Sequence, residues 1–164
     1  MAARLMPVTT DIVQSYRRPR TVFRRLLDAG QREDRAIAIL AGACLLFFAA
    51  SAPVSQRQAI DGQGDLSQLL TYSLFSWLFL WPLLLYGIAA LSHLVMKIFR
   101  GRGSWYGARL ALFWSMLIST PLVLLYSLTY ALIGPGLHAD IVGVSWLIVF
   151  LLFWTVNLRE AEQG

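Results

Sequence analysis

The sequence predicts an all-α integral membrane protein: four transmembrane helices preceded by a basic amphipathic amino-terminal arm, with both termini cytoplasmic. Three observations carry this. The 164 residues are 57% hydrophobic and 14% charged, where soluble chains average roughly 25% charged residues. So few polar side chains cannot clothe the surface of a small soluble domain. Four apolar segments each approach the length of about 20 residues that a bilayer crossing needs. The charges cluster between those segments. The apolar excess excludes intrinsic disorder, and a single cysteine excludes a disulfide scaffold.

The arm comes first. Residues 1–35 hold eight arginines (Arg4, Arg17, Arg18, Arg20, Arg24, Arg25, Arg32, Arg35) against Asp11, Asp28, Glu33 and Asp34, a local net of +4. They contain no apolar run of the kind a cleaved signal peptide uses. Thr21 is the expected cap of a short helix and Gly30 its expected end. Within that helix Val22, Phe23, Leu26 and Leu27 share one face, opposite Arg24, Arg25 and Asp28. Lying in the headgroup region, it would bury Phe23 and Leu27. Arg17, Arg18, Arg20, Arg24 and Arg25 would then meet anionic lipid phosphates, at about 1 kcal/mol each. The competing reading is that these arginines only set topology. Nothing in the arm has the aromatic interleaving or the fold of a nucleic-acid binder.

The spans follow in order. The first is Ala36 to Val54, ended by Ser55-Gln56-Arg57, and the second Leu69 to Phe99. The third runs from about Leu110 to Ile133 and stops at Gly134-Pro135-Gly136. The fourth runs from about Ile141 to Leu158, and a cytoplasmic tail follows from Arg159. The second is too long for one crossing: as a helix it measures about 46 Å against a hydrocarbon core of about 30 Å. Its lipid portion is placed near Tyr72 to His93, with Lys97 snorkelling at the basic side.

Four spans put both termini on one side. The arm, the loop around residues 97–109 and the tail hold thirteen basic residues, whereas the two opposite loops hold only Arg57, beside Asp61, Asp65 and Asp140. That asymmetry places the termini in the cytoplasm. Thirteen of the fourteen basic residues are arginine, which points to a GC-rich bacterial genome and so to a bacterial inner membrane.

Leu83 to Leu125 contains Gly101-Arg102-Gly103-Ser104-Trp105, then Trp114-Ser115 and Ser119-Thr120-Pro121; upstream lies Arg18-Pro19-Arg20-Thr21-Val22-Phe23-Arg24-Arg25-Leu26-Leu27. These stretches resemble the Yip domain family of Ypt/Rab-interacting-protein-like membrane proteins, over about residues 17–158. In this chain the proline lies farther beyond the Gly-Ser-aromatic turn, and four spans replace the common five. The resemblance implies an integral membrane protein. In eukaryotic members it implies Rab-type GTPase binding and trafficking, machinery that bacterial members lack.

The turn also has a physical reading. Gly101 and Gly103 permit the positive φ of a tight connection, Ser104 caps the next helix, and Trp105 opens it. A phosphate cradle built from backbone N–H groups and nearby arginines is the alternative, although no Lys-Ser/Thr follows as in a P-loop. The plain turn is preferred.

Catalytic signals are poor. There is no His-Glu-x-x-His, no cysteine pair and no Gly-x-Ser-x-Gly, so no catalytic residue, metal ligand or cofactor is assigned. His93 and His138 are placed near opposite faces, Cys44 reads as a packing residue, and every acid lies in a tail or loop. Pro82 and Pro121 fall at one mid-bilayer depth and free the carbonyls of Leu78 and Leu117. They read as kinks; the sharper alternative is a hinge or small cavity lined by Ser76, Trp81, Ser119 and Thr120. Ala38-x-x-x-Gly42 and Ala139-x-x-x-Gly143 are small-residue pairs suited to helix packing. Trp77, Trp81, Trp114, Trp146 and Trp154 include several too deep for interfacial belts, which are expected in core or subunit contacts.

The function expected is non-enzymatic: a scaffold, assembly factor or accessory subunit contacting another membrane protein or a second copy of itself. The alternative is a small carrier or channel for lipid or apolar solute at the proline-marked midplane.

Overall fold

A polypeptide in lipid must satisfy its backbone polar groups within its own segments, and helices do so residue by residue. The computed structural model describes residues 8–98 and 101–163. Among them it contains eight α-helices, one π-helical turn and no strand. Arg4, Arg100 and Phe99 lie outside the described residues.

The arm forms two helices, α1 (Val8–Arg17) and α2 (Pro19–Asp28). Pro19 starts α2, where a missing N–H costs nothing, and Arg18 holds the cap position without a side-chain bond. Thr21 is therefore inside the first turn and not at the cap. Gly30, at φ +89°, turns the chain away just beyond α2. The expected interfacial helix is also corrected in what it touches. Val22 and Phe23 are buried in the protein core, with Leu26 and Leu27 packed against it, so the apolar face of α2 meets protein. Helix α1 is held by long-range bonds: Tyr16 Oη donates to the Ile118 carbonyl at 2.6 Å, and the Trp114 indole donates to Ser15 Oγ at 3.3 Å.

Three helices are long and apolar enough to cross a membrane: α3 (Glu33–Ile60), the continuous helix Leu66–Ile98, and α8 (Leu137–Gln163). A fourth crossing arises if α6 (Trp105–Ile118) and α7 (Thr120–Ile133), bent by 42°, count as one broken span. Each helix begins or ends outside its expected apolar boundaries, because polar turns extend it. Asp65, for example, accepts the Ser67 backbone N–H at 3.2 Å to start α4 (Leu66–Phe75).

The two prolines act differently. The π turn Ser76–Leu80 joins α4 to α5 (Trp81–Ile98), and the helix runs through Pro82 without a break. Pro121 instead opens α7, directly after the Ser119 break. The Leu117 carbonyl deprived of a partner by Pro121 accepts the Thr120 hydroxyl at 2.7 Å. The expected matched pair of kinks is thus one bend and one π-register shift.

Helix α6 is central: apart from Trp105 and Arg109, every one of its residues is buried. It runs parallel to α3, as Tyr106 donates to the Arg32 carbonyl at 3.3 Å and Arg109 pairs with Glu33. Along the same side Ser127 of α7 donates to the Ala50 carbonyl of α3. Helix α8 returns antiparallel: Trp146 meets Ser119 at 3.2 Å, and Asn157 donates to Ser115 at 2.9 Å. Helix α2, the start of α3, the end of α5, the start of α6 and the end of α8 therefore gather at one end of the bundle.

Candidate functional site

At that end α5 and α8 meet; toward the other end a lateral groove separates them. Its cavity volume is about 750 Å³, within the usual range of roughly 300–1,000 Å³ for ligand sites. One wall carries Trp77 and Trp81, stacked with centroids 4.9 Å apart and planes 13° apart. The π turn that accommodates Pro82 carries Trp77. The facing wall is Val144, Trp146 and Leu147 of α8, and the floor comes from α3 (Phe47 to Val54) and α7 (Val123 to Ser127). Gly143 lets the Tyr126 ring lie close, since a Cβ there would be 3.3 Å from it. The Ala139-x-x-x-Gly143 pair is thus used inside the monomer, with Ala139 buried.

The serine hydroxyls of the groove are engaged. Ser127 is bonded to Ala50, and Ser51 to Ser73. Ser119, whose Oγ donates to Met116 O at 2.8 Å, accepts the Trp146 indole. Of the four residues expected to line a midplane cavity, Trp81 lines the groove; Ser119 and Thr120 are buried in the helix break, and Ser76 is partly buried on the π turn. The one charged lining residue is Asp140, exposed at the start of α8 and without an ion pair among the described residues. The same end carries Asp61, paired with Arg57 at 3.0 Å, and Asp65. The Ser67 hydroxyl bonded to Asp65 holds its carboxyl below the usual carboxylate range.

At the opposite end the Gly101–Ser104 turn is tight for a reason other than the expected positive φ, which neither glycine adopts. Both glycines make room for α8. A Cβ on Gly103 would lie 2.6 Å from the Ala161 carbonyl oxygen, and one on Gly101 would collide with the Glu162 carboxylate. Ser104 caps α6 as expected, accepting the Gly107 N–H at 3.0 Å. The Gly103 N–H donates to Glu162 Oε2 at 2.9 Å, so the anion in this backbone cradle is the chain's own carboxylate. Its other oxygen lies 3.4 Å from His93 Nδ1, with both side chains buried, and the His93 ring rests on Trp105 at 4.3 Å.

Two expectations are corrected here. Residues 159–163 are not a free tail: α8 continues to Gln163 with Glu160, Ala161 and Glu162 buried. Nor does every acid lie in a loop or tail: Glu160 and Glu162 are buried on α8. Sequence reasoning missed Glu162, although a signal existed: two glutamates in a helix's last turn oppose the macrodipole, so each needs a specific partner.

The five arginines assigned to anionic lipid are all exposed. Arg24 pairs with Glu160 and Arg25 with Asp11 at 2.6 Å. Arg17, Arg18 and Arg20 form no ion pair among the described residues. Cys44 and Trp114 are core residues, and no cluster of metal-ligating side chains occurs among the described residues.

The fold and site define a class: a helical protein with three or four bilayer-length helices and a lateral aromatic groove. Compared with known proteins, the chain matches no family model, no curated protein and no solved structure.

Proposed function

We propose that this is a four-span bacterial inner-membrane protein, both termini cytoplasmic, that binds a lipid or apolar solute without transforming it. The observation that supports this reading is the groove: it is lateral, aromatic, of ligand-sized volume, and its serine hydroxyls are already bonded. Such a surface rewards methylene groups and penalises a solute that would lose hydrogen bonds on entry. The thirteen-to-one distribution of basic residues supports the orientation, and the likeness around the Gly101–Trp105 turn supports a Yip-like membrane domain. The test is native mass spectrometry of detergent-purified protein. Retained lipid should be lost in Val144→Trp, which fills the groove; unchanged retention would refute the reading.

A second reading, a scaffold or accessory subunit, is favoured by the outer face of α3. Ala38 is exposed there, and a Cβ on Gly42 would meet nothing within 4 Å. Close approach of a second transmembrane helix suits such a face. A stoichiometric partner that is lost in Gly42→Ile would establish it; isolation of the same lone chain from both proteins would exclude it. In either reading Arg17, Arg18 and Arg20 contact anionic headgroups. Reversing all three to Glu should abolish anionic-liposome binding of the arm, and unchanged binding would leave them a topological role only.

A further inference from the structure

Resting on the groove-binding reading, we propose that the ligand is an aminophospholipid. One acyl chain lies in the groove, and its primary ammonium headgroup is held by the Asp140 carboxylate. The geometry separates a shallow polar mouth from a deep apolar end. Along α8 the lining runs from Asp140 to Leu147, and along α3 from Val54 to Phe47, each covering about 10 Å of helix axis. Both stretches run from the helix end toward the bundle interior. A headgroup at Asp140 therefore sets its first methylenes beside Val144 and their continuation beside Trp81 and Phe47.

Charge selects the headgroup. Asp140 is the one charged residue in the lining, and it is exposed. The neighbouring connections add Asp61 and Asp65, while Arg57 is engaged by Asp61 at 3.0 Å. A net anionic headgroup is repelled from such a mouth. A choline group brings a positive charge but no N–H, whereas a primary ammonium donates a charge-assisted hydrogen bond to the carboxylate. One such bond at a partly hydrated site corresponds to a preference of about three- to tenfold.

The experiment uses the full chain equilibrated in vesicles of dioleoyl phosphatidylethanolamine, phosphatidylcholine and phosphatidylglycerol in equal parts, followed by native mass spectrometry. The wild type should retain phosphatidylethanolamine about three- to tenfold over the other two, and Asp140→Asn should lose that preference while still retaining lipid. Equal retention of the three lipids, a preference unchanged in Asp140→Asn, or a stoichiometric protein partner cross-linked from Val144 overturns the proposal. A measurement that needs no variant guards against misfolding: acyl-brominated phosphatidylethanolamine should quench tryptophan fluorescence more than equally brominated phosphatidylglycerol, and equal quenching counts against it. The two levels fail separately. Lipid retained without headgroup preference, and lost in Val144→Trp, overturns the headgroup assignment alone. Retention unaffected by Val144→Trp overturns the groove itself.

Discussion

Glu162 accepts the backbone N–H of Gly103 at 2.9 Å and presents its second oxygen to His93 Nδ1 at 3.4 Å. One carboxylate thereby ties the last turn of α8 to the end of α5 and to the turn that starts α6. A charge taken out of water is costly unless paired. Leaving one buried polar partner unsatisfied costs about 1–3 kcal/mol, whereas replacing both with apolar residues of similar shape is far milder. His93→Ala and Glu162→Ala should each lower stability by about that amount in detergent unfolding, and His93→Leu/Glu162→Leu by much less than their sum. Additive losses would show that the two groups do not act as a pair.

The glycines of the chain divide by what surrounds them. Gly103→Ala places a Cβ 2.6 Å from the Ala161 carbonyl oxygen, so it should cost about 1–3 kcal/mol and raise amide exchange over residues 157–163. Gly42→Ala meets nothing within 4 Å and should leave the isolated protein unchanged or stabilise it by up to about 1 kcal/mol through helix propensity. Similar effects at the two positions would contradict the packing described.

At the bend between α6 and α7 one hydroxyl takes up a freed carbonyl. Thr120 Oγ1 occupies the Leu117 carbonyl that Pro121 leaves without a helical donor. Thr120→Val should strand that carbonyl at a cost of about 1–3 kcal/mol. In a Pro121→Ala background an N–H is restored to the helix, so the same substitution should cost less. Thermal unfolding of the four proteins measures the coupling; equal costs in both backgrounds would refute it.

Asp65 provides a pH-dependent handle at the acidic end. Its carboxyl titrates below the ordinary value of 3.8, chiefly because the Ser67 hydroxyl donates to it. A depressed folded value means that the contribution to stability is present above the unfolded value and is lost as pH falls through the folded one. Ser67→Ala should move the Asp65 titration upward, as read by carboxyl-carbon NMR, and weaken the start of α4. An unmoved titration would assign the depression elsewhere.

Much of the architecture is legible from short stretches of chain. The apolar segments, the Ser104 cap and the Gly134-Pro135-Gly136 stop each depend on solvent or on neighbours within a turn, and Gly134 does close α7 at φ +100°. In the site, Trp81 and the deep tryptophans were legible because their depth conflicts with an interfacial role. Asp140 reads from the sequence only as a loop charge, and of the four residues expected around a cavity Trp81 alone lines the groove behind it.

The sequence by itself determined that the protein needs an apolar solvent, which stretches form its long apolar helices, and how its charge is distributed along the chain. Only the tertiary structure decided which apolar faces meet protein. Lipid tails and a protein interior are equally apolar, so a helix that touches both carries no periodic signal to tell them apart. The same holds for Phe23, which the pattern sends to a membrane surface and the packing sends to the core. Glu162 lies 59 residues from the Gly103 amide it binds, and only the antiparallel return of α8 beside α6 brings them together.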